Sequence, residues 1–220
     1  MIWNALRLSL LVVSVSTLII AVTGTAFGFL LARRRFHGKE LLDAALTLPM
    51  VLPPTVTGYY LILLLGRRGF LGAPLYNLTG WTVTFTWIGA VIASTAVAIP
   101  LMIKSSRAAI ESVNTDYENA SRIMGKGEWE TFFRVTLPLA GRGIIAGIIL
   151  SFARAFGEFG ATLMLAGNIS GKTQTMPLAI YEAMAAGEDG TAAWLAVILT
   201  LISISVVYIT NRLSRPAERN

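Results

Sequence analysis

Residues 118–138, ENASRIMGKGEWETFFRVTLP, lie in a polar segment near the middle of an otherwise apolar sequence. Of the 220 residues, 55% are hydrophobic and only 14% are charged, which is too little polar surface to cover a water-soluble protein of this size. We therefore predict that the chain lies in a lipid bilayer. The polar segment 104–142 is then a loop outside the hydrocarbon core.

Long uncharged runs on both sides of this loop predict transmembrane helices, because about 20 apolar residues are needed to cross the bilayer. Four runs reach that length, and a fifth does so although it contains Arg154 and Glu158. We predict an all-α membrane protein, a single domain over residues 1–220 with a polytopic bundle of about five transmembrane helices. The predicted spans lie near residues 8–32, 44–66, 84–103, 143–164 and 191–210.

The positions of Lys and Arg predict the orientation of the bundle, because cytoplasmic loops of membrane proteins are enriched in both. If the cluster at residues 33–35 is inside, five spans leave the N-terminus outside and the loop 104–142 and the C-terminus in the cytoplasm. Thirteen basic residues are then inside, four are outside, and Arg154 lies within a span. This bias explains the net charge of +6 without nucleic-acid binding and predicts a multi-pass protein of the cytoplasmic (inner) membrane. The basic residues of the tail are Arg212, Arg215 and Arg219.

Two short helices are predicted within the loop. Asn114 or Thr115 can cap the first, over residues 117–124, and Gly125 offers the left-handed residue that ends it. The second is predicted over residues 128–135, where acidic residues at its N-terminus match the helix dipole.

An aromatic stripe lies on the second predicted helix, which should end before Pro138. Trp129, Phe132 and Phe133 are spaced i, i+3 and i+4, so they share one face. The stripe packs either on the cytoplasmic ends of the chain's own helices or on a partner protein, because apolar spacing alone does not select the partner.

The loop resembles the EAA loop of ABC importer permeases, in which EAA is followed by three residues, Gly, nine residues and Ile-x-Leu-Pro. The matching positions here are Asn119, Ala120, Ser121, Gly125, Val135, Leu137 and Pro138, and Glu118 lies one position before the usual glutamate. In that family the loop forms a coupling helix that docks on an ATP-hydrolysing subunit. The resemblance implies that the coupling residues are Glu118, Asn119, Ala120, Gly125, Trp129, Phe132, Phe133, Leu137 and Pro138.

Other segments resemble molybdate permeases and, less closely, sulfate permeases. Residues 152–162 and 166–168 match the family segment ARAxGEFGAT…AGN, and residues 49–54, 66–70 and 177–181 also resemble the molybdate group. The resemblance implies the permease of a molybdate importer, working as a homodimer in the lipid membrane with two ATP-binding subunits and an external substrate-binding protein. Sulfate or tungstate is the alternative substrate, because these oxyanions are tetrahedral dianions of similar shape.

The second predicted span should be broken by its prolines, among them Pro53 and Pro54, since each removes a backbone donor. In lipid such a break is tolerated only where neighbouring helices or a water-filled cavity satisfy the freed carbonyls. The span is therefore predicted to face protein, either as a kinked packing helix or as part of the translocation path.

Arg154 and Glu158 lie four residues apart, which places them on one face of a continuous helix. Each charge costs on the order of 3 kcal/mol at membrane depth, so both should face the bundle interior. The pair is either structural, or Arg154 contributes positive potential to an anion path, or Glu158 relays protons. The candidate translocation-path or helix-orienting residues are Pro53, Pro54, Arg154, Glu158 and Thr162.

The sequence predicts no enzymatic, cofactor or metal site. The GKT at residues 171–173 ends like a P-loop, but the required glycine is replaced by Ala166, and the GKG at 125–127 also lacks the motif. Cysteine is absent, and His37, the single histidine, has no ligand-like neighbours. ATP hydrolysis is therefore expected in a separate subunit.

Two other classes of membrane protein are alternatives. An ion-coupled secondary transporter could use Glu158 as its proton carrier, but such proteins commonly contain paired broken helices, and only the span 44–66 is clearly broken by proline. A membrane scaffold would leave the aromatic stripe unexplained. Small residues that favour a bundle or a dimer are paired at Gly24 with Gly28 and at Gly143 with Gly147.

Overall fold

A computed structural model describes residues 2–214 of the chain, with residues 209–214 described by their backbone alone. Every regular element in that range is helical, which confirms the predicted all-α fold. The elements are α1 (Ile2–Arg33), α2 (Lys39–Val51), α3 (Pro54–Leu65), α4 (Gly72–Thr79), α5 (Trp87–Glu111), α6 (Thr115–Ile123), α7 (Glu128–Thr131), a π-helical turn (Phe132–Thr136), α8 (Leu137–Phe156), α9 (Gly160–Ala166), α10 (Met176–Ala185) and α11 (Asp189–Ser214). In the predicted basic tail, Arg215, Arg219 and the side chain of Arg212 lie outside the described residues.

Helices α1 and α5 cross the bundle in the same direction. The hydroxyl of Ser16 donates to the carbonyl of Val91 at 3.1 Å. Further along, a β-carbon at Gly28 would lie 2.6 Å from Cβ of Ser106, so only a residue without a side chain allows this approach. The chain must therefore return from the end of α1 to the start of α5. Helices α2 and α3 make that return as one broken span, with a bend of 119° between them.

Helix α8 runs along α5 in the opposite direction. A β-carbon at Gly143 would lie 2.5 Å from Cβ of Ala109. A β-carbon at Gly147 would lie 2.7 Å from Cβ of Ser105. Gly143 and Gly147 therefore pack against a helix of the same chain, as Gly24 and Gly28 on α1 do.

The start of α11 lies beside Ile2, because both line one small cavity. Four helical segments in the described part of the chain are long and apolar enough to span a membrane, and the number rises to the predicted five when the bent pair α2–α3 is counted as one span.

The prediction that the second loop helix ends before Pro138 is wrong. Helix α7 passes through the π-helical turn directly into α8, so Glu128–Phe156 is one continuous helical segment. Pro138 lies in the first turn of α8. The wider π-helical turn interrupts the regular i→i−4 hydrogen bonds at the place where proline lacks its donor.

A second break, which no proline marks, divides the expected span 143–164. Helices α8 and α9 are separated by residues 157–159. Helix α9 packs against α3, and a β-carbon at Gly160 would lie 3.1 Å from Cβ of Pro54. The two broken spans therefore meet inside the bundle, which corrects the interpretation that only one span is broken.

Candidate functional site

Both capping residues of α6 are as predicted, although the helix begins at Thr115, two residues before the expected start. The side chain of Asn114 accepts a hydrogen bond from the backbone N–H of Asp116 at 2.9 Å and so caps the helix. Gly125 has φ of 81°, and the N–H of Lys126 returns to the carbonyl of Ser121 at 3.2 Å. A β-carbon at Gly125 would meet no neighbouring atom, so glycine is required here by backbone conformation and not by space.

Glu118 is buried beneath α6 and does not lie on its exposed face. Its Oε1 accepts hydrogen bonds from Nε of Arg33 at 3.0 Å and from the hydroxyl of Thr136 at 2.7 Å. The same guanidinium donates to the carbonyl of Val113 at 3.0 Å. Glu118 therefore joins α6 to the end of α1 and to the π-helical turn. We call these three side chains, Arg33, Glu118 and Thr136, the inner clamp.

A second buried contact joins α6 to α7, where the hydroxyls of Ser121 and Thr131 lie 3.0 Å apart. The sequence contains only a weak signal of the inner clamp. Glu118 follows an N-cap and its charge suits the first turn of a helix, which is also typical of a solvent-exposed residue. The partner Arg33 lies 85 positions away, so only the packing of α1 beside the loop brings the two together.

The predicted aromatic stripe divides between the interior and the surface. Phe132 is 8% exposed and packs edge-on against Phe29, with ring centroids 4.6 Å apart. Trp129 and Phe133 are exposed. Trp129 also lines an apolar groove of about 420 Å³ along α1, beside the ion pair of Arg34 with Glu128. Burial against the chain's own helices therefore holds for Phe132, while Trp129 and Phe133 are left accessible to a partner.

Large apolar side chains are exposed on α6 and at the residue that follows it, at positions that were not among the predicted coupling residues. Tyr117, Ile123 and Met124 are 60%, 86% and 72% exposed. We call these three residues the α6 face. The sequence signal that could have identified this face is the presence of large apolar side chains in a short polar helix. Of the other predicted coupling residues, Asn119, Ala120 and Pro138 are exposed, and Leu137 is half-buried against the core.

Arg154 and Glu158 form an ion pair, although they do not share a continuous helix. Nη1 of Arg154 donates to Oε2 of Glu158 at 2.7 Å. The other oxygen, Oε1, accepts from the backbone N–H of Ala161 at 2.8 Å and caps α9. Glu158 follows the end of α8, so the pair holds the break between α8 and α9 together. We call it the break pair.

The other candidate path residues lie around the same breaks. Pro53 precedes α3 and Pro54 is its first residue, where the missing donor is harmless. Thr162 is fully buried in α9, and its hydroxyl has no partner among the described residues. Of the three, Pro54 lies at the contact between the two broken spans, next to Gly160.

The described part of the chain contains no candidate metal-binding cluster. That part contains no group of three or more His, Asp or Glu side chains that could hold a metal ion. His37 lies exposed in the turn between α1 and α2. The arrangement instead consists of a short polar helix with exposed apolar side chains, a buried clamp beneath it and a charged break within the bundle.

Comparison with known proteins identifies the family. Residues 24–219 match the family described as "Binding-protein-dependent transport system inner membrane component". The chain belongs to this family. It is therefore a multi-pass membrane permease component, in agreement with its long apolar helices.

Relatives and a solved structure extend this result. The chain is 45% identical over 217 residues to the Molybdenum transport system permease protein ModB of Escherichia coli (strain K12), covering 97% of this chain and 95% of the relative. It is 33% identical over 209 residues to the Sulfate transport system permease protein CysT of the same organism, covering 95% and 75%. A bacterial alginate ABC transporter, solved in complex with its alginate pentasaccharide-bound periplasmic protein, has the same fold at a TM-score of 0.78. Sequence identity is 16%, and the match covers 96% of this chain and 77% of that one.

Proposed function

We propose that this chain is the membrane permease subunit of an ATP-driven importer that carries molybdate across the cytoplasmic membrane. The observation that carries the proposal is an exposed apolar α6 face on a loop that the inner clamp ties to two membrane-spanning segments. Exposed apolar side chains of this kind are typical of a surface that docks on another protein, and a helix that docks on another subunit requires them.

The inner clamp supplies a route from docking to the membrane helices. A displacement of α6 acts on Arg33 at the end of α1 and on Thr136 in the π-helical turn, because Glu118 binds both side chains. That turn continues into α8, which ends at the break pair. Rigid helices joined by buried contacts can convert closure of an ATP-hydrolysing partner into a change of opening within the bundle.

The proposed assembly contains two copies of this chain, two ATP-binding subunits and an external substrate-binding protein. The alginate transporter solved with its periplasmic protein supports a binding protein as a partner. ATP hydrolysis is assigned to the separate subunits, since the sequence lacks a P-loop. The excess of basic residues at the loop side supports an orientation with the N-terminus outside and the C-terminus inside.

Molybdate is preferred over sulfate because identity to the molybdenum permease is 45% and to the sulfate permease 33%. Tungstate remains an alternative on grounds of shape and charge. The test is uptake of radioactive molybdate by proteoliposomes that contain the permease, its ATPase and its binding protein, with tungstate and sulfate as competitors. We expect uptake that requires ATP and the binding protein and that excess sulfate leaves unchanged.

The same assay tests the ion-coupled alternative, which gains support from the contact between the two broken spans. Liposomes are prepared with a proton gradient and without ATP, and then with ATP and a collapsed gradient. Uptake under the first condition alone would overturn the proposed ATP-driven function. Uptake of sulfate in preference to molybdate would overturn only the assignment of the substrate.

A further inference from the structure

Arg154 lies near the middle depth of the bundle. Along the antiparallel contact of α8 with α5, Gly143 meets Ala109 and Gly147 meets Ser105. Arg154 lies seven residues after Gly147 on α8, which is about 11 Å along the helix axis. In the same antiparallel register it lies level with residue 98 of α5. That level is close to the midpoint of α5, which runs from Trp87 to Glu111.

The guanidinium of Arg154 is open on one edge. Its side chain is 34% exposed, while that of Glu158 is 1% exposed. Only Nη1 binds the carboxylate, and Nε and Nη2 donate to no acceptor within residues 2–208. These two nitrogens form the side edge of the guanidinium, which can bind two oxygens of one anion at once.

The open edge lies on an exposed face of α8. Leu150, Ala153 and Gly157 are exposed next to it. A cation at middle depth is too costly to face hydrocarbon, so this face must meet protein or water in the assembled importer. A lipid phosphate has similar chemistry, but it lies at the membrane surface and not at this depth.

Glu158 limits how strongly Arg154 can hold an anion. The carboxylate neutralises one side of the guanidinium and is itself fixed by the N–H of Ala161. A transport path needs contacts that attract the substrate and still release it, so a partly neutralised cation suits this purpose better than a free one.

We propose that the open edge of Arg154 binds the transported oxyanion at middle depth and that Glu158 weakens this contact enough for release. The proposal rests on the proposed import function. In a twofold homodimer each copy contributes one such arginine, so a dianion would meet two. No covalent step is involved, and the anion passes from contact to contact unchanged.

The test uses the reconstituted importer with Arg154→Lys, Arg154→Gln, Glu158→Gln and the double variant Arg154→Gln with Glu158→Gln. In the double variant neither charge remains, and the glutamine carbonyl can still accept from Ala161, so the break should stay capped. We expect assembly and ATP hydrolysis to persist while molybdate uptake falls about tenfold or more, the loss expected when charge-assisted hydrogen bonds are removed. Arg154→Lys should keep part of the uptake, because lysine keeps the positive charge but lacks the planar guanidinium edge that binds two oxygens at once.

Glu158→Gln supplies a readout independent of transport. With its neutralising partner gone, Arg154 should retain molybdate more tightly, so added molybdate should raise the thermal unfolding temperature of the purified permease. The double variant should lack this shift. Arg7→Gln on the exposed outer end of α1 is the control that removes one positive charge elsewhere.

Normal uptake by the double variant would overturn the proposal, and so would a loss of assembly and ATP hydrolysis equal to the loss of uptake. The second result would make the break pair purely structural. If the unmodified importer carries no molybdate, the proposed function fails instead, so the two failures can be told apart.

Discussion

The inner clamp and the break pair use the same two kinds of side chain for different purposes. Each contains a buried glutamate bound by an arginine, and the glutamates are 3% and 1% exposed. The arginines differ, since Arg33 is 14% exposed and Arg154 is 34% exposed. An ion pair with both members enclosed acts as an anchor, whereas one with an accessible cation keeps binding capacity.

The hydrogen bonds explain this difference. Arg33 uses its nitrogens on Glu118 and on the carbonyl of Val113, so its donors are directed into the protein. Arg154 uses a single nitrogen on Glu158, whose second oxygen is occupied by a helix cap. Counting the satisfied donors of each arginine therefore separates a structural pair from an open one better than burial of the carboxylate does.

The largest expected effect follows from Glu118→Ala. This variant leaves Arg33 nearly buried without its carboxylate, and breaking a buried pair in this way typically costs about 3–5 kcal/mol. We expect a lower thermal unfolding temperature in detergent and weak recovery of the ATPase with the permease. Glu118→Gln keeps an acceptor for Thr136 and is the milder control. Unchanged stability of Glu118→Ala would remove the distinction between the two pairs.

The α6 face should make the direct contact with the ATPase, while the inner clamp beneath it only holds α6 in position. Replacing both Ile123 and Met124 by alanine should weaken assembly with the ATPase by about 2 kcal/mol or more, as truncated interface anchors do. The stability of the permease alone should not change, because both side chains are exposed. Phe132→Ala is the matched contrast, since it should destabilise the permease itself. The measurement is copurification of the ATPase alongside thermal unfolding, and full recovery with the double variant would place docking elsewhere.

The sequence predicted the overall fold because its main determinants are local. Uncharged runs of sufficient length, the cap at Asn114 and the left-handed Gly125 can all be recognised without knowing which helices touch. The break after α8 could not be recognised in this way, because it depends on α9 packing against α3. The burial of Phe132 and Glu118 could not be recognised for the same reason, since their partners Phe29 and Arg33 lie far away in the sequence, on α1.

A smaller effect is expected for Glu158→Ala than for Glu118→Ala. The variant removes the cap of α9 and the contact with Arg154, but the arginine is accessible and is not left enclosed without a partner. We expect a loss of about 2.5 kcal/mol, about 1 from the cap and about 1.5 from one charge-assisted hydrogen bond. Thermal unfolding of both alanine variants under the same conditions measures the difference, and a larger loss for Glu158→Ala would reverse the comparison.

The smallest expected change in stability, but a selective change in coupling, follows from Gly125→Ala. Gly125 has φ of 81°, and a residue with a β-carbon in that conformation costs about 1 kcal/mol, which favours a different path for the chain after α6. Gly127→Ala is the matched control, because Gly127 has φ of −68° and equally open surroundings. Membrane levels should be equal for both variants, while the molybdate imported per ATP hydrolysed should fall only for Gly125→Ala. Since the inner clamp is intact in both, equal coupling would mean that the turn after α6 plays no part in transmitting the docking movement.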